Sequence, residues 1–217
     1  MFHYVFAFSD LLVATALLYI AYIQFTKNNF RLAAFLLVLV AFTLRVYVAS
    51  DLFLHEWDER YHALVAKNLM DNLLLPKLYP TALLSYNIQE WSSNFIWLHK
   101  QPLPLWCMAI SMKIFGVNEW ALRLPSVIIS SIGVYLTYLI GRKLFNEKIA
   151  LLAAFFHAIN GLMIEMTAGR IATDHIDVFF FFFVEAGVLC AVLYFEKRKL
   201  YWNILTGICI GLAVLCK

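Results

Sequence analysis

Charged residues are scarce in this chain. Only 14% of its 217 residues are Asp, Glu, Lys or Arg, and 63% are hydrophobic, whereas soluble domains carry roughly a quarter of charged residues. The hydrophobic residues form long runs that contain almost no charge, with Asp10 and Glu185 as the main exceptions. Runs of about 18 or more apolar residues are typical of membrane-spanning helices. The composition therefore excludes an ordinary soluble domain and predicts an all-α, polytopic transmembrane helical protein.

Several other features are also missing. The four cysteines lie in apolar segments without CxxC spacing, which favours small buried side chains over a disulfide framework. The sequence shows no internal repeat and no Gly/Ser-rich linker. The amino-terminus lacks the basic region and the cleavage site of a removable signal peptide, so we expect the first helix to remain. The net charge of +3 is spread over helix ends, which argues against nucleic acid as a partner.

The positions of Lys and Arg predict the membrane topology. Apolar segments cover residues 4–25, 32–48, 102–115, 124–141, 149–168, 178–195 and 200–216. Short loops rich in Lys and Arg stay in the cytoplasm, and three such loops lie at residues 27–31, 142–148 and 197–199. Counting crossings between them places residues 51–101 in an extracytoplasmic loop. Residues 102–115 are short for a crossing and fit the count only if they lie in the interface or dip in and return.

We expect a multi-pass protein of an inner or plasma membrane, in contact with membrane lipids, whose active site faces the extracytoplasmic side. The last apolar run continues to Lys217 without a polar tail. We therefore interpret residues 1–217 as the amino-terminal part of a single transmembrane domain, with the remainder of that domain after residue 217.

The loop 51–101 is the longest polar interruption in the sequence. Residues 57–73 show a helical pattern in which Arg60, Lys67 and Asp71 share one stripe, and the opposite side is apolar. This pattern is typical of a helix that lies in the membrane interface.

Four polar residues around this loop are candidates for function. Asp58 lies at the edge of the apolar side, where a carboxylate is costly unless it is paired, so it is either a functional group or a helix N-cap. Lys100 and Arg123 are placed either to pair with a lipid phosphate or to act as anchors at the interface. Asp174 has the same two interpretations as Asp58, a functional group or a helix N-cap.

Ordered motifs in the sequence resemble those of the polytopic glycosyltransferases of the GT-C class. Within that class they are most similar to the protein O-mannosyltransferases and to the aminoarabinose transferase that modifies lipid A. The motifs are Trp57-Asp58-Glu59-Arg60-Tyr61, His99-Lys100-Gln101-Pro102-Leu103-Pro104, Phe115-Gly116 through Arg123-Leu124-Pro125-Ser126, and Gly169-Arg170 followed by Asp174. Two departures are Gln101, which replaces a proline of the family pattern, and the additional span at residues 4–25.

The resemblance implies a donor in which a sugar is joined to a polyprenyl phosphate, and a single inverting displacement at the anomeric carbon. Asp58 would act as the general base, and Glu59 and Asp174 would orient the sugar, the base or neighbouring cations. The acceptor would be a hydroxyl or phosphate of a protein, lipid or glycan. The substrate-binding residues implied by the resemblance are Lys100, Arg123, Tyr61, Arg45 and His99.

No cofactor follows with certainty from the sequence. Four histidines are predicted to lie on the extracytoplasmic side, near Asp58 and Asp174, but their spacing matches no compact metal-ligand motif. Some members of the class bind a divalent metal, so a metal stays open while no metal ligand is assigned. These histidines are His55, His62, His99 and His175.

A non-catalytic transporter or assembly subunit with an interfacial loop is the alternative to an enzyme. A transporter places ionisable residues near the middle of the bilayer. In this sequence most ionisable residues are instead predicted to cluster at one rim of the membrane, outside the helix interiors, which favours the enzyme.

Overall fold

The computed structural model of the chain describes residues 2–83, 85–90, 92–171 and 175–217. Within these residues the regular structure is helical, with one isolated bridge between Lys77 and Ile96. The helices are α1 (Phe2–Thr26), α2 (Phe30–Val48), α3 (Asp58–Leu69), α4 (Pro102–Phe115), α5 (Glu119–Leu144), α6 (Glu147–Ala158), α7 (Gly161–Thr167), α8 (His175–Lys197) and α9 (Leu200–Val214). The predicted all-α, multi-span architecture is confirmed.

Four helices of the described chain are long and apolar enough to cross a membrane, namely α1, α2, α5 and α8. The predicted span 149–168 is not one straight helix, because α6 and α7 meet at a bend of 49°. Two contacts stabilise the break. The Asn160 side chain accepts a hydrogen bond from the Met163 amide at the start of α7, and Arg45 donates to the Ala158 carbonyl at the end of α6.

The long helices pack side by side, with α1 against α2, α5 against both α2 and α6, and α8 against α5 and α9. One end of this bundle, here called the basic end, contains the loops at residues 27–29, 145–146 and 198–199. An ion pair of 2.6 Å between Lys143 and Glu196 joins α5 to α8 there. The opposite end, here called the polar end, is formed by the loop 49–57, α3, α4 and the first turns of α5 and α8.

Helix α4 lies across the polar end. At its start, the Leu103 amide donates to the Leu215 carbonyl just after α9, over 3.1 Å. Farther along, the Trp106 indole donates to the Leu73 carbonyl, and the Lys113 ammonium donates to the Met70 carbonyl. Both ends of α4 therefore contact segments of the polar end, as expected for a helix that does not cross.

Helix α3 is shorter than the predicted 57–73, because the chain turns at Met70 and Asp71 after the last helical residue. Arg60 and Lys67 are exposed as predicted, and Val65 and Leu69 are fully buried in a core cluster shared with α4, α5 and the loop that follows α3. Trp57 precedes the helix at φ +67 and exposes 73% of its surface. The apolar side of α3 is thus divided between the packed core and an open surface.

Candidate active site

Asp58 and Lys100 meet at the polar end. Oδ2 of Asp58 lies 3.1 Å from Nζ of Lys100, and the two side chains are 19% and 26% exposed. Asp58 is the first residue of α3, and Trp57 occupies the N-cap position. The alternative of Asp58 as an N-cap is therefore wrong. The pair is open enough for a substrate to reach, and it joins the two motifs that lie at opposite ends of the polar loop.

A fully buried ion pair lies next to Asp58 along the chain. Nε of Arg123 donates to Oε1 of Glu59 over 2.7 Å, and Nη2 donates to Oε2 over 3.0 Å. Both side chains are 0% exposed. A bidentate arginine–carboxylate pair has fixed geometry, so it holds the start of α3 against the start of α5.

Arg123 also holds the loop before α3. Its Nη1 donates to the carbonyls of Ala49 and Asp51 at 3.0 and 2.7 Å, and its Nη2 donates to the Phe53 carbonyl at 2.7 Å. A guanidinium has five N–H groups, and these contacts with Glu59 and the loop number five. A phosphate could bind Arg123 only by displacing one of them.

Glu59 accepts two further hydrogen bonds. Nε2 of His175 lies 3.2 Å from Oε1, and the His55 amide donates to Oε2 over 2.6 Å. Nδ1 of His175 lies 2.8 Å from the Ser126 hydroxyl, so α8 is tied to both α3 and α5. We refer to Glu59, Arg123, His175 and Ser126 as the buried scaffold.

The surroundings of Glu59 favour its ionised form. Burial by itself raises the pKa of this carboxyl, but the hydrogen bonds from His175 and Arg123, together with their positive charge, outweigh it and lower the pKa to about 2. A carboxyl with a lowered pKa stabilises the fold above its unfolded-state pKa and loses that contribution as the pH falls through the folded-state value.

We expect Glu59 to make the fold resistant to moderate acid. Its contribution to the free energy of unfolding is complete above about pH 4.5 and declines only between about pH 4.5 and about pH 2. The measurement is the unfolding temperature of wild-type and Glu59→Gln protein over this range. The difference between the two proteins should shrink as the pH falls, and a difference that grows toward low pH would contradict the expectation.

Gly169 packs directly against the buried scaffold. Its φ is +73, and a Cβ at this position would lie 2.5 Å from Oε1 of Glu59 and 2.9 Å from Nε2 of His175. The position therefore requires glycine both for its backbone conformation and for space. Gly116 has a similar φ of +87, but a Cβ there would meet nothing closer than 3.7 Å.

These two glycines form a matched pair for mutation. Gly116→Ala is expected to cost about 1–3 kcal/mol, because φ +87 with ψ 162 is a backbone conformation that essentially only glycine adopts. Gly169→Ala should cost about 1–3 kcal/mol more, because it also displaces Glu59. Thermal unfolding of both variants measures the difference. Equal losses would show that Gly169 matters for its backbone conformation alone.

A second ionic cluster surrounds Asp51. Oδ2 of Asp51 lies 2.9 Å from Nη2 of Arg170 and 3.2 Å from Nε2 of His55. Arg170 also reaches Glu165 at 3.4 Å. Sequence reasoning did not single out Asp51, although Arg170 stands in one of the motifs. The cluster joins the loop 49–57 to the segment after α7.

Aromatic rings lie beside the Asp58–Lys100 pair. The Trp97 indole is 1% exposed and is parallel to the Tyr61 ring at 6.4 Å between centroids. His99 meets the same indole edge-on at 5.6 Å. Partial burial and the charge of Lys100 lower the pKa of His99, and Asp58 opposes them. The Trp97 indole thus positions both Tyr61 and His99.

A cleft of about 490 Å³ opens at the start of α3 and is lined by Glu56, Trp57, Arg60, Tyr61 and Leu64. These residues flank Asp58 in the sequence, and they combine aromatic, apolar and charged groups. Such a mixture is typical of sites for amphipathic ligands.

The remaining predicted site residues lie elsewhere. Arg45 is fully buried, and its guanidinium contacts the carbonyls of Ala41, Ala158 and His157. Asp174 lies outside the described residues. Among the residues that the structure does describe, no three His, Cys, Asp or Glu side chains converge as metal ligands.

The apolar helical bundle, the charged pair at its polar end and the four motifs define a polytopic membrane protein of the GT-C glycosyltransferase class. The chain belongs to the family described as dolichyl-phosphate-mannose-protein mannosyltransferase, whose sequence model matches residues 99–217. The match includes Lys100 and Arg123 and begins after Asp58.

Curated relatives agree with this family. The chain is 28% identical over 121 residues to "Putative mannosyltransferase YycA" of Bacillus subtilis, covering 56% of the chain and 17% of the relative. It is 30% identical over 139 residues to the undecaprenyl phosphate-alpha-4-amino-4-deoxy-L-arabinose arabinosyl transferase of Pseudomonas paraeruginosa, covering 59% and 24%. The chain thus spans about a quarter or less of these relatives' length. No solved structure matches it.

Proposed function

We propose that the chain carries the catalytic loop of a membrane glycosyltransferase, which moves a sugar from a polyprenyl-phosphate donor to an acceptor hydroxyl or phosphate. The observation that supports this most is the ion pair of Asp58 and Lys100, which is partly exposed and stands on a buried scaffold. The pair places a proton acceptor and a cation side by side, as the reaction requires. The relative named for an undecaprenyl phosphate donor supports a lipid-linked sugar.

In the proposed reaction, Asp58 acts as the general base. With a hydroxyl acceptor, the oxygen forms a bond to the anomeric carbon and its proton passes to the Asp58 carboxylate. The bond from the anomeric carbon to the phosphate oxygen breaks, and polyprenyl phosphate leaves with the bonding electrons. A single displacement of this kind inverts the configuration of the sugar.

Under this proposal, Lys100 pairs first with Asp58 and then with the phosphate of the donor. Without a donor, its ammonium neutralises Asp58 over 3.1 Å. A bound donor phosphate competes for the same ammonium, and the Asp58 carboxylate becomes available to accept a proton. The negative charge of the leaving phosphate grows in the transition state, so a cation at this place stabilises the transition state more than the ground state.

We assign Glu59 and Arg123 a positioning role within this proposal, in place of direct contact with the substrate. Both are fully buried, and their contacts fix the loop 49–53 and the first turn of α3. Asp58 is the neighbour of Glu59 in that turn, so the scaffold fixes the backbone from which Asp58 projects. Tyr61 and His99 remain candidates for contact with the sugar or phosphate.

The polar end faces the extracytoplasmic side in this proposal. Arg142, Lys143, Lys148 and the group Lys197–Lys199 lie at the opposite end of the bundle, and short basic loops stay in the cytoplasm. The donor would then keep its lipid tail in the bilayer while its sugar lies next to α3 and α4.

We expect Lys100→Met to lower kcat about 10²–10³-fold in the full-length protein, the usual loss when one electrostatic contact to the transition state is removed. Lys100→Arg should retain more activity because it keeps the charge. Lys67→Met is the matched control, since Lys67 is exposed on the far stripe of α3. The assay is transfer from a polyprenyl-phosphate sugar, and equal rates for Lys100→Met and Lys67→Met would refute the assigned role.

A transporter is the second candidate, because Glu185 and His157 lie inside the bundle. It predicts donor-independent movement of a solute through vesicles that contain the full-length protein. It also predicts that Asp58→Asn leaves this movement intact.

A further inference from the structure

Three polar side chains meet within the bundle, away from the candidate active site. They come from different helices: Thr137 from α5, His157 from α6 and Glu185 from α8. Oγ1 of Thr137 lies 2.6 Å from Oε1 of Glu185 and 2.7 Å from Nδ1 of His157. Glu185 is ten residues after the start of α8, which is about 15 Å along a helix and about half the thickness of a bilayer core.

Two buried atoms of this cluster have no hydrogen-bond partner among the residues that the structure describes. They are Oε2 of Glu185 and Nε2 of His157, and the His157 side chain is 8% exposed. Thr137 donates its proton to Glu185, so its oxygen accepts from Nδ1–H of His157. This leaves Nε2 of His157 as an acceptor that needs a donor. A buried polar group without a partner is costly.

Gly133, one turn before Thr137 on α5, packs close to both atoms. A Cβ at this position would lie 3.3 Å from Oε2 of Glu185 and 3.9 Å from Nε2 of His157. Both atoms therefore face the same part of α5, and one small molecule between them would give each a partner. Water is the ligand of this size that supplies two donors, and buried waters are usual where polar groups lack partners.

Among the described residues, no Lys or Arg forms an ion pair with the Glu185 carboxyl. The ring of His157 lies 3.9 Å away, and with a single proton on Nδ1 it carries no charge. Arg45 approaches from α2, but it donates to the main-chain carbonyls of His157 and Ala158. Helix α9, also packed on α8, presents Cys209 against Gly187. An ionised carboxylate in such surroundings is strongly disfavoured.

We propose that Thr137, His157 and Glu185 form an intramembrane site that binds one water molecule between Oε2 of Glu185 and Nε2 of His157 and holds a proton on the Glu185 carboxyl. The protonated Oε2 donates to the water, and the water donates to Nε2 of His157. Each buried atom then has a partner, and α5, α6 and α8 are joined by a continuous chain of hydrogen bonds. This inference is independent of the proposed sugar transfer.

Infrared difference spectroscopy of the full-length protein in lipid bilayers tests the proposal at neutral pH. Wild-type protein should show the C=O band of a protonated carboxylic acid that disappears in Glu185→Gln. In Gly133→Ala, whose Cβ would crowd Oε2 of Glu185 and the His157 ring, the band should move to higher frequency because the carboxyl loses its water. Gly187→Ala is the matched control, since a Cβ there meets only ordinary contacts of 3.5 Å or more, and it should leave the band in place.

A second measurement keeps the test independent of how well the variants fold. In wild-type protein alone, replacing the solvent by H₂¹⁸O should shift a water O–H band that is coupled to the Glu185 carboxyl. No carboxylic acid band that depends on Glu185 would show that Glu185 is ionised and would overturn the proposal. An unchanged band in Gly133→Ala, or no water band sensitive to H₂¹⁸O, would overturn the bound water.

Discussion

Asp58→Asn is expected to reduce sugar transfer by the full-length protein about 10²–10⁴-fold, the usual contribution of a positioned general base. The amide has nearly the same shape as the carboxylate, but it cannot accept the proton of the acceptor. Because Asp58 lies at the open edge of the polar end and the buried scaffold does not use its carboxylate, the fold should be retained. The measurement is the single-turnover rate with a polyprenyl-phosphate sugar.

Asp71→Asn provides the control for this prediction. Asp71 is an exposed residue just after α3, so its replacement changes the charge nearby without touching the Asp58–Lys100 pair. Binding of the donor should be retained in Asp58→Asn, since Lys100 loses a competing partner. Full activity of Asp58→Asn would show that Asp58 is not the general base of the reaction.

Arg123→Ala is expected to destabilise the fold by about 3–5 kcal/mol, the usual cost of removing one partner of a buried ion pair. The change leaves Glu59 charged and buried, and it also frees the carbonyls of Ala49, Asp51 and Phe53. The measurement is thermal unfolding in detergent or lipid. Transfer should fall as well, because the start of α3 loses its attachment.

A double-mutant cycle measures the interaction energy between Glu59 and Arg123 separately from their contacts with other residues. Replacing Glu59 and Arg123 together, as Glu59→Leu with Arg123→Met, should cost less than the sum of the single changes because no unpaired charge remains. Arg60→Ala is the control on the same helix, since Arg60 is exposed and surface changes stay within about 0.5 kcal/mol. Strict additivity in the cycle would show that the two side chains are not coupled.

Much of the fold could be predicted from the sequence because it depends on local patterns. Uncharged runs predict spans, and basic loops predict their direction. The crossing count predicted that residues 102–115 do not form a full span, and α4 is shorter than the helices that are long enough to cross. The break between α6 and α7 was missed, because hydropathy reads residues 149–168 as one run. The local signal is Asn160 followed by Gly161, a pair that favours a helix start.

The site could be predicted in part. The motifs identified Asp58 and Lys100 as candidates, and the structure places the two together. The partners of Glu59 could not be predicted, because pairing with Arg123 and His175 depends on how α3, α5 and α8 pack. Charged residues are expected to be exposed unless they are paired, so nothing in the sequence indicates that Glu59 is fully buried. Glu185 could be recognised in the sequence as a charge inside an apolar run. Its partners Thr137 and His157 could not be predicted, because their contacts depend on how α5, α6 and α8 pack.

The most direct test of the central claim is a structure of the full-length protein with a bound polyprenyl phosphate. The account predicts that the phosphate lies within hydrogen-bond distance of Nζ of Lys100, and that Asp58 has given up its contact with this lysine and faces the position of the sugar. A phosphate bound away from the polar end, with the Asp58–Lys100 pair still closed, would contradict it.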